Sequence, residues 1–234
     1  MQRKSYKAVL FDFGDTLVST KPSYFDRIAI SFRECGYPIS NHELEIAYIN
    51  TDYEIHKRYI KKGSITPQQY EEWFFPILCK NLSIEADLVV IRGKIIATLN
   101  MIGFKRFVLP GGFELLDVLK KRGFSLGIIS NNDGRTEAKC EEVSIRSYFN
   151  IIADSTNLGI SKPDSRIFHL VLEKLGIPVA ESIYIGDLYG SDVLGGINAG
   201  LKVIWFNERR NNKLDDTKVQ QVIGLTEIKR ELAL

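Results

Sequence analysis

The sequence predicts an α/β protein built on a doubly wound parallel sheet, with an all-α domain inserted into it. Three observations carry this expectation. Short, continuous apolar runs recur along the chain, amphipathic helical stretches alternate with them, and the interval from about Ser19 to Phe107 reads as helix throughout. Continuous runs suit strands buried on both faces of a parallel sheet, since one-sided strands alternate in polarity. Strands alternating with helices imply right-handed βαβ crossovers.

Five strands are expected, at Lys7–Phe13, Phe124–Ser130, Asn150–Asp154, Ser182–Gly186 and Leu201–Phe206. Between them, Gly112–Arg122 places Phe113, Leu115, Leu116 and Leu119 on one helical stripe and ends at Gly123. Asp164–Leu175 does the same with Ile167, Leu170, Val171 and Leu175, stopped by Gly176 and Pro178, and Asp192–Ala199 is stopped by Gly200. In the interval without strands, helices are expected at Ser23–Cys35, His42–Ile60, Pro67–Asn81 and Ile84–Met101, punctuated by Gly36, Pro38, Gly63 and Gly103. The expected division is a core from residues 1–18 and 108–234 and a helical insertion from residues 19–107.

A chain of 234 residues buries roughly 70% of its unfolded surface, enough for a core without disulfides or structural metal. With 31 basic and 29 acidic residues the net charge is +2, and 44% hydrophobic with 26% charged residues excludes disorder, collagen and coiled coil. A near-neutral balance without a dense basic block argues against a nucleic-acid partner. Cys35, Cys79 and Cys140 are odd in number and widely spaced, which fits reduced thiols. Neither an 18-residue apolar stretch nor a signal-peptide pattern is found, so the expected location is cytoplasmic, away from membranes.

In an open parallel sheet, ligands bind beyond the carboxyl ends of the strands. The first strand ends in Asp12-Phe13-Gly14-Asp15-Thr16, the second in Ser130-Asn131, and the fourth in Gly186-Asp187 with Asp192 five residues on. Any one of these could simply cap a helix or close a turn; together they bring acids, hydroxyls and glycine turns to one edge. Two carboxylates at neighbouring strand ends are costly unless a proton or cation lies between them. Hard oxygen donors with little His or Cys nearby select Mg²⁺, a cation suited to phosphate oxygens. Lys162, in Ser161-Lys162-Pro163-Asp164, is placed to offset phosphoryl charge.

The set and order of these motifs resemble the haloacid dehalogenase-like (HAD) superfamily, and the likeness spans essentially the whole chain. It rests on Asp12-Phe13-Gly14-Asp15-Thr16-Leu17, the strand ending in Ser130-Asn131, Lys162-Pro163, and Gly186-Asp187 with Asp192, followed by a helix and the Gly200 turn. The resemblance implies a Rossmann-like core, with the insertion as the family's C1 cap. It implies in-line attack by Asp12 on a small phosphorylated metabolite, an aspartyl-phosphate intermediate and its hydrolysis. Ser130, Asn131 and Thr16 would bind substrate, and Lys162 would offset charge. Asp12, the Gly14 carbonyl, Asp187 and Asp192 would serve the Mg²⁺ site.

One departure stands out. Family phosphatases carry a second Asp two residues after the nucleophile, as acid and base for the leaving group and water. That position is Gly14 here, and the next carboxylate is Asp15. Neighbouring side chains in extended backbone point apart, so Asp15 substitutes only if the glycine turns it inward. Alternatives are a haloacid dehalogenase, a phosphonatase with a buried lysine drawn from Lys57, Lys61, Lys62, Lys94 or Lys105, or a HAD-fold binding or regulatory module without turnover. His42, His56 and His169 lack metal-pair spacing, and Tyr70, Trp73, Phe74 and Phe75 read as the core of the insertion. Gly190–Gly195 has no following Lys-Ser/Thr and is no P-loop. Arg27, Arg58 and Arg92 are candidates for an anionic substrate tail or, more simply, solvated helix faces.

Overall fold

The computed structural model describes residues 6–209 and 219–232. Six parallel strands form one sheet: β1 (Ala8–Phe11), β4 (Ser125–Ser130), β5 (Ile151–Asp154), β6 (Ser182–Gly186), β7 (Lys202–Phe206) and β8 (Gln220–Val222), in the order β5-β4-β1-β6-β7-β8. Side chains along β1 alternate between two cores. Val9 and Phe11 join Leu115, Leu116 and Leu119 of α5 (Gly112–Lys121) and Ile228 of α10 (Leu225–Glu231) on one face. Leu10 joins Ile167, Phe168 and Val171 of α8 (Ser165–Leu175) on the other. Burial on both faces is the physical reason these strands read as unbroken apolar runs.

Four helices intervene between the first strand and the rest: α1 (Tyr24–Glu34), α2 (Asn41–Lys62), α3 (Pro67–Asn81) and α4 (Leu88–Met101). The first three open with capping boxes, Ser23 with Asp26, Ser40 with Glu43 and Thr66 with Gln69, and loss of such a cap costs about 1 kcal/mol. Phe25, Phe32, Leu44, Leu78, Ile91 and Ile95 form their shared core. Helix α4 starts after Asp87, which accepts from the amides of Val89 and Val90, rather than at Ile84.

Two short strands occupy positions where no strand is expected from the sequence. β2 (Val18–Lys21) and β3 (Lys105–Val108) pair antiparallel, Val18 with Val108 and Lys21 with Lys105, and hold the two ends of the helical insertion together. Their polar, partly exposed sequences carry no apolar run to read. β8 escapes notice for the same reason, with Gln220 and Gln221 at its start. The stretch expected as a helix over Asp192–Ala199 is a wide π-type turn at Tyr189–Leu194 leading into the short α9 (Gly195–Asn198). Short helices α6 (Thr136–Glu142) and α7 (Ser155–Leu158) follow β4 and β5.

The insertion leans on the core through α2. Asp52 accepts from the amides of Gly190, at 2.6 Å, and Ser191, at 3.1 Å, and from the Ser191 hydroxyl. A Cβ on Gly190 would lie 2.5 Å from the Asp52 carbonyl oxygen, so this approach requires glycine. The Ile65 amide donates to Asp164 Oδ2 at 3.2 Å, and the Ser161 amide donates to the Ile65 carbonyl at 3.1 Å. Among the described residues, no helix is long and apolar enough to cross a membrane.

Candidate active site

Because β4, β1 and β6 are neighbours and run parallel, their carboxyl ends deliver Ser130, Asp12 and Asp187 to one edge of the sheet. The Asp12 amide donates to the Ile185 carbonyl at 2.8 Å, which prolongs the strand pairing as far as this carboxylate. The carboxylates of Asp12, Asp187 and Asp192 approach until ligand oxygens from all three lie within 4.8 Å of one another. Three hard oxygen donors in this spacing suit a divalent ion such as Mg²⁺.

Lys162 stands in the middle of this charge. Its Nζ is 2.6 Å from Asp12 Oδ1 and 2.7 Å from Asp192 Oδ1, and it also donates to the Ile129 carbonyl at 2.8 Å. The Tyr184 hydroxyl lies 3.0 Å away and donates to Asp192 at 2.7 Å. Burial alone would depress the Lys162 pKa, but Asp12 and Asp192 together raise it above its ordinary value, so the ammonium stays charged. Burial pushes Asp12 up to about 6, opposed by Lys162 and assisted by Asp192. Asp187 is raised well above the usual carboxylate range, again chiefly by burial.

The other expected site residues divide into two groups. Gly14, Asp15, Ser130 and Asn131 line the same cleft as Asp12, Lys162 and Asp187, a space of about 540 Å³ between core and insertion. Thr16 and Asp192 are fully buried beneath it. The Thr16 hydroxyl donates to Asp187 Oδ1 at 3.3 Å, and Asp192 Oδ2 accepts from the Leu188 amide at 2.9 Å. The Asn131 side chain grips the backbone of Lys162, donating to its carbonyl at 2.9 Å and accepting from its amide at 2.8 Å. Asp15 takes a left-handed backbone with φ 53°, and its carboxylate accepts from Ser19 Oγ at 2.6 Å and Arg209 at 2.7 Å.

Three further residues, Arg209, Tyr184 and Asp52, are not singled out by the sequence. Arg209 follows β7, so asking what that strand's end delivers, as for the other strands, brings it into view. Tyr184 lies inside a strand, where nothing distinguishes its hydroxyl from ordinary core. Asp52 lies on a long helix, and only the fold brings it to Gly190. His56 and His169 make structural contacts, to Asn198 and to the Ala199 carbonyl.

The model of the haloacid dehalogenase-like hydrolase family matches residues 9–206 of this chain. A pyrimidine 5'-nucleotidase of Escherichia coli is 32% identical over 150 residues, 63% of this chain and 64% of that protein. A glyceraldehyde 3-phosphate phosphatase of Methanothermobacter thermautotrophicus is 29% identical over 241 residues, 95% of this chain and 99% of that protein. Among solved structures, the magnesium-bound HAD-hydrolase YfnB of Bacillus subtilis aligns with TM-score 0.66 and 25% identity over 99% of this chain and 100% of that one.

Proposed function

The chain belongs to the haloacid dehalogenase-like hydrolase family, and on that premise we propose that it is a Mg²⁺-dependent phosphatase acting on a small phosphorylated metabolite. The observation that carries this reading is the buried ammonium of Lys162 held between Asp12 and Asp192, beside an acid set complete enough for a divalent ion. Hydrolytic dehalogenation needs no such set. Phosphonatase chemistry asks for a buried lysine in the cleft, and Lys57, Lys61, Lys62, Lys94 and Lys105 are all exposed. The nucleotidase and phosphatase among the relatives support the same reading.

In this mechanism the Asp12 carboxylate attacks phosphorus in line. A bond forms from its oxygen to phosphorus, and the ester bond breaks with its electron pair on the leaving oxygen. Water then hydrolyses the aspartyl phosphate, returning Asp12 and releasing phosphate. Lys162 keeps Asp12 ionised and oriented, and Ser130 with the Asn131 amide receives phosphoryl oxygens. Asp12, the Gly14 carbonyl and Asp187 would hold Mg²⁺, with Asp192 positioning Lys162 beside them. The ion, when bound, neutralises phosphoryl and carboxylate charge. Residues 19–107 act as a cap on the core of residues 1–18 and 108–234, and both boundaries fall within the β2–β3 ribbon.

The test is Mg²⁺-dependent phosphate release from p-nitrophenyl phosphate, whose leaving group needs no protonation. Release abolished by EDTA and by Asp12→Asn is expected; turnover that survives Asp12→Asn in full removes the nucleophile assignment.

A further inference from the structure

Resting on the phosphatase reading, we propose that the substrate carries a second anionic group, a carboxylate or another phosphate, bound by the guanidinium of Arg27 on the insertion side of the cleft. Arg27 belongs to α1, is 7% exposed, and lines the same space as Asp12 and Lys162. Its Nε is buried without a hydrogen-bond partner. Its side chain donates from Nη2 to the neutral Thr20 hydroxyl at a long 3.3 Å, and that hydroxyl donates to the Pro22 carbonyl at 2.9 Å. No ion pair of Arg27 occurs among the described residues.

The surrounding acids are already committed. Asp15 faces Arg209 and Ser19, Glu142 pairs with Arg106, and Asp26 caps its own helix and accepts from Asn41. Arg58 and Arg92 differ in kind: Arg58 is exposed beside Trp73, and Arg92 pairs with Glu71 on the surface.

A buried cation without a counter-charge is costly, and a ligand anion entering the cleft supplies one. The guanidinium lies 3.8 Å from the centroid of the Phe104 ring. Stacking of this kind holds the plane and leaves the fork of N–H donors to recognise paired oxygens. Arg106 lines the cleft close by, but Glu142 already balances its charge, which leaves Arg27 as the cation there without a counter-charge. The transferred phosphoryl group lies against Asp12 and Lys162, so Arg27 addresses the other end of the molecule.

The test is calorimetric and independent of turnover. The intact Asp12→Asn protein with Mg²⁺ is titrated with ω-carboxyalkyl phosphates of increasing chain length, each beside its uncharged amide, and with alkanediol bisphosphates beside their monophosphates. At the best length the anionic member should bind about ten- to hundredfold more tightly, the range of a charge-assisted hydrogen bond. A preference confined to one series identifies carboxylate or phosphate. Adding Arg27→Gln should bring the ratio towards one, and Arg27→Lys should keep part of it. Equal affinities at every length in both series, or a preference that survives Arg27→Gln, would overturn the proposal. Absence of phosphate release by the natural protein would instead count against the phosphatase reading and leave these ratios to decide the role of Arg27.

Discussion

Arg209 Nη1 lies 2.6 Å from Asp187 Oδ2, at a carboxylate that also belongs to the candidate cation cluster. The same guanidinium reaches Asp15 Oδ2 at 2.7 Å and, across to the insertion, Glu45 Oε1 at 2.9 Å. One side chain thus joins the loop after β1, the end of β6 and helix α2. Against the burial that raises the Asp187 pKa, Arg209 is the chief opposing influence.

A divalent ion at Asp187 therefore meets a fixed positive charge nearby, and like charges a few Å apart cost on the order of 1–4 kcal/mol when partly screened. Arg209→Gln should tighten Mg²⁺ binding by about fivefold or more, measured by calorimetry at pH 8, where proton competition is small. Weaker binding in the variant would mean that Arg209 assembles the site rather than opposing the ion.

Lys162 has the reverse relation to its acids. Its 2.6 and 2.7 Å contacts compensate Asp12 and Asp192 in a fully buried setting. Breaking a buried pair by removing one partner costs about 3–5 kcal/mol. Lys162→Met should lower stability by that order in urea unfolding and abolish turnover. A loss below about 1 kcal/mol would show that the two carboxylates accommodate each other by sharing a proton.

The strands that carry Asp12, Ser130 and Asp187 are legible because burial on both faces leaves an apolar run, and each run ends in the polar residues that line the cleft. The ribbon of β2 and β3 is not legible, since Ser19, Thr20 and Lys21 pair with Phe107, Arg106 and Lys105 and form no apolar run. Arg209 is placed by the sequence only as far as the end of β7, and Asp52 not at all, because their partners are 22 and 138 or more residues away in the chain, and only the fold brings these groups together. In the sequence Arg27, Arg58 and Arg92 are equivalent candidates, and burial in the cleft is what separates Arg27 from the other two.

Asp52 offers a pH test of how the insertion is seated. Burial pushes its carboxyl up to about 6, while the Ser191 and Gly190 hydrogen bonds pull it down. Between the unfolded value near 3.8 and about 6, the folded state binds more protons than the unfolded one, so this group's contribution to stability falls as pH rises through that window. The loss between pH 4 and 7 is on the order of 2 kcal/mol. Asp52→Asn cannot titrate, so its stability deficit relative to the natural protein should shrink by that order from pH 4 to pH 7. A deficit independent of pH would place the Asp52 pKa near its ordinary value.

Gly14 poses the sharpest question about the chemistry. The carboxylate next to it, Asp15, is already engaged by Ser19 at 2.6 Å and by Arg209 at 2.7 Å, so neither position offers an uncommitted acid to the leaving group. General acid catalysis is worth about 10²–10⁴ in rate and matters most for alkoxide leaving groups. The natural protein should therefore hydrolyse p-nitrophenyl phosphate far faster than a sugar phosphate. A Cβ built on Gly14 meets nothing within 4 Å, so the cleft accepts Gly14→Asp without a steric penalty at that atom. That variant should raise kcat for the sugar phosphate at least tenfold while changing the aryl ester little, narrowing the ratio between them. Equal rates for the two esters in the natural protein would assign the proton to Asp15, and Asp15→Asn would then have to slow the sugar phosphate selectively.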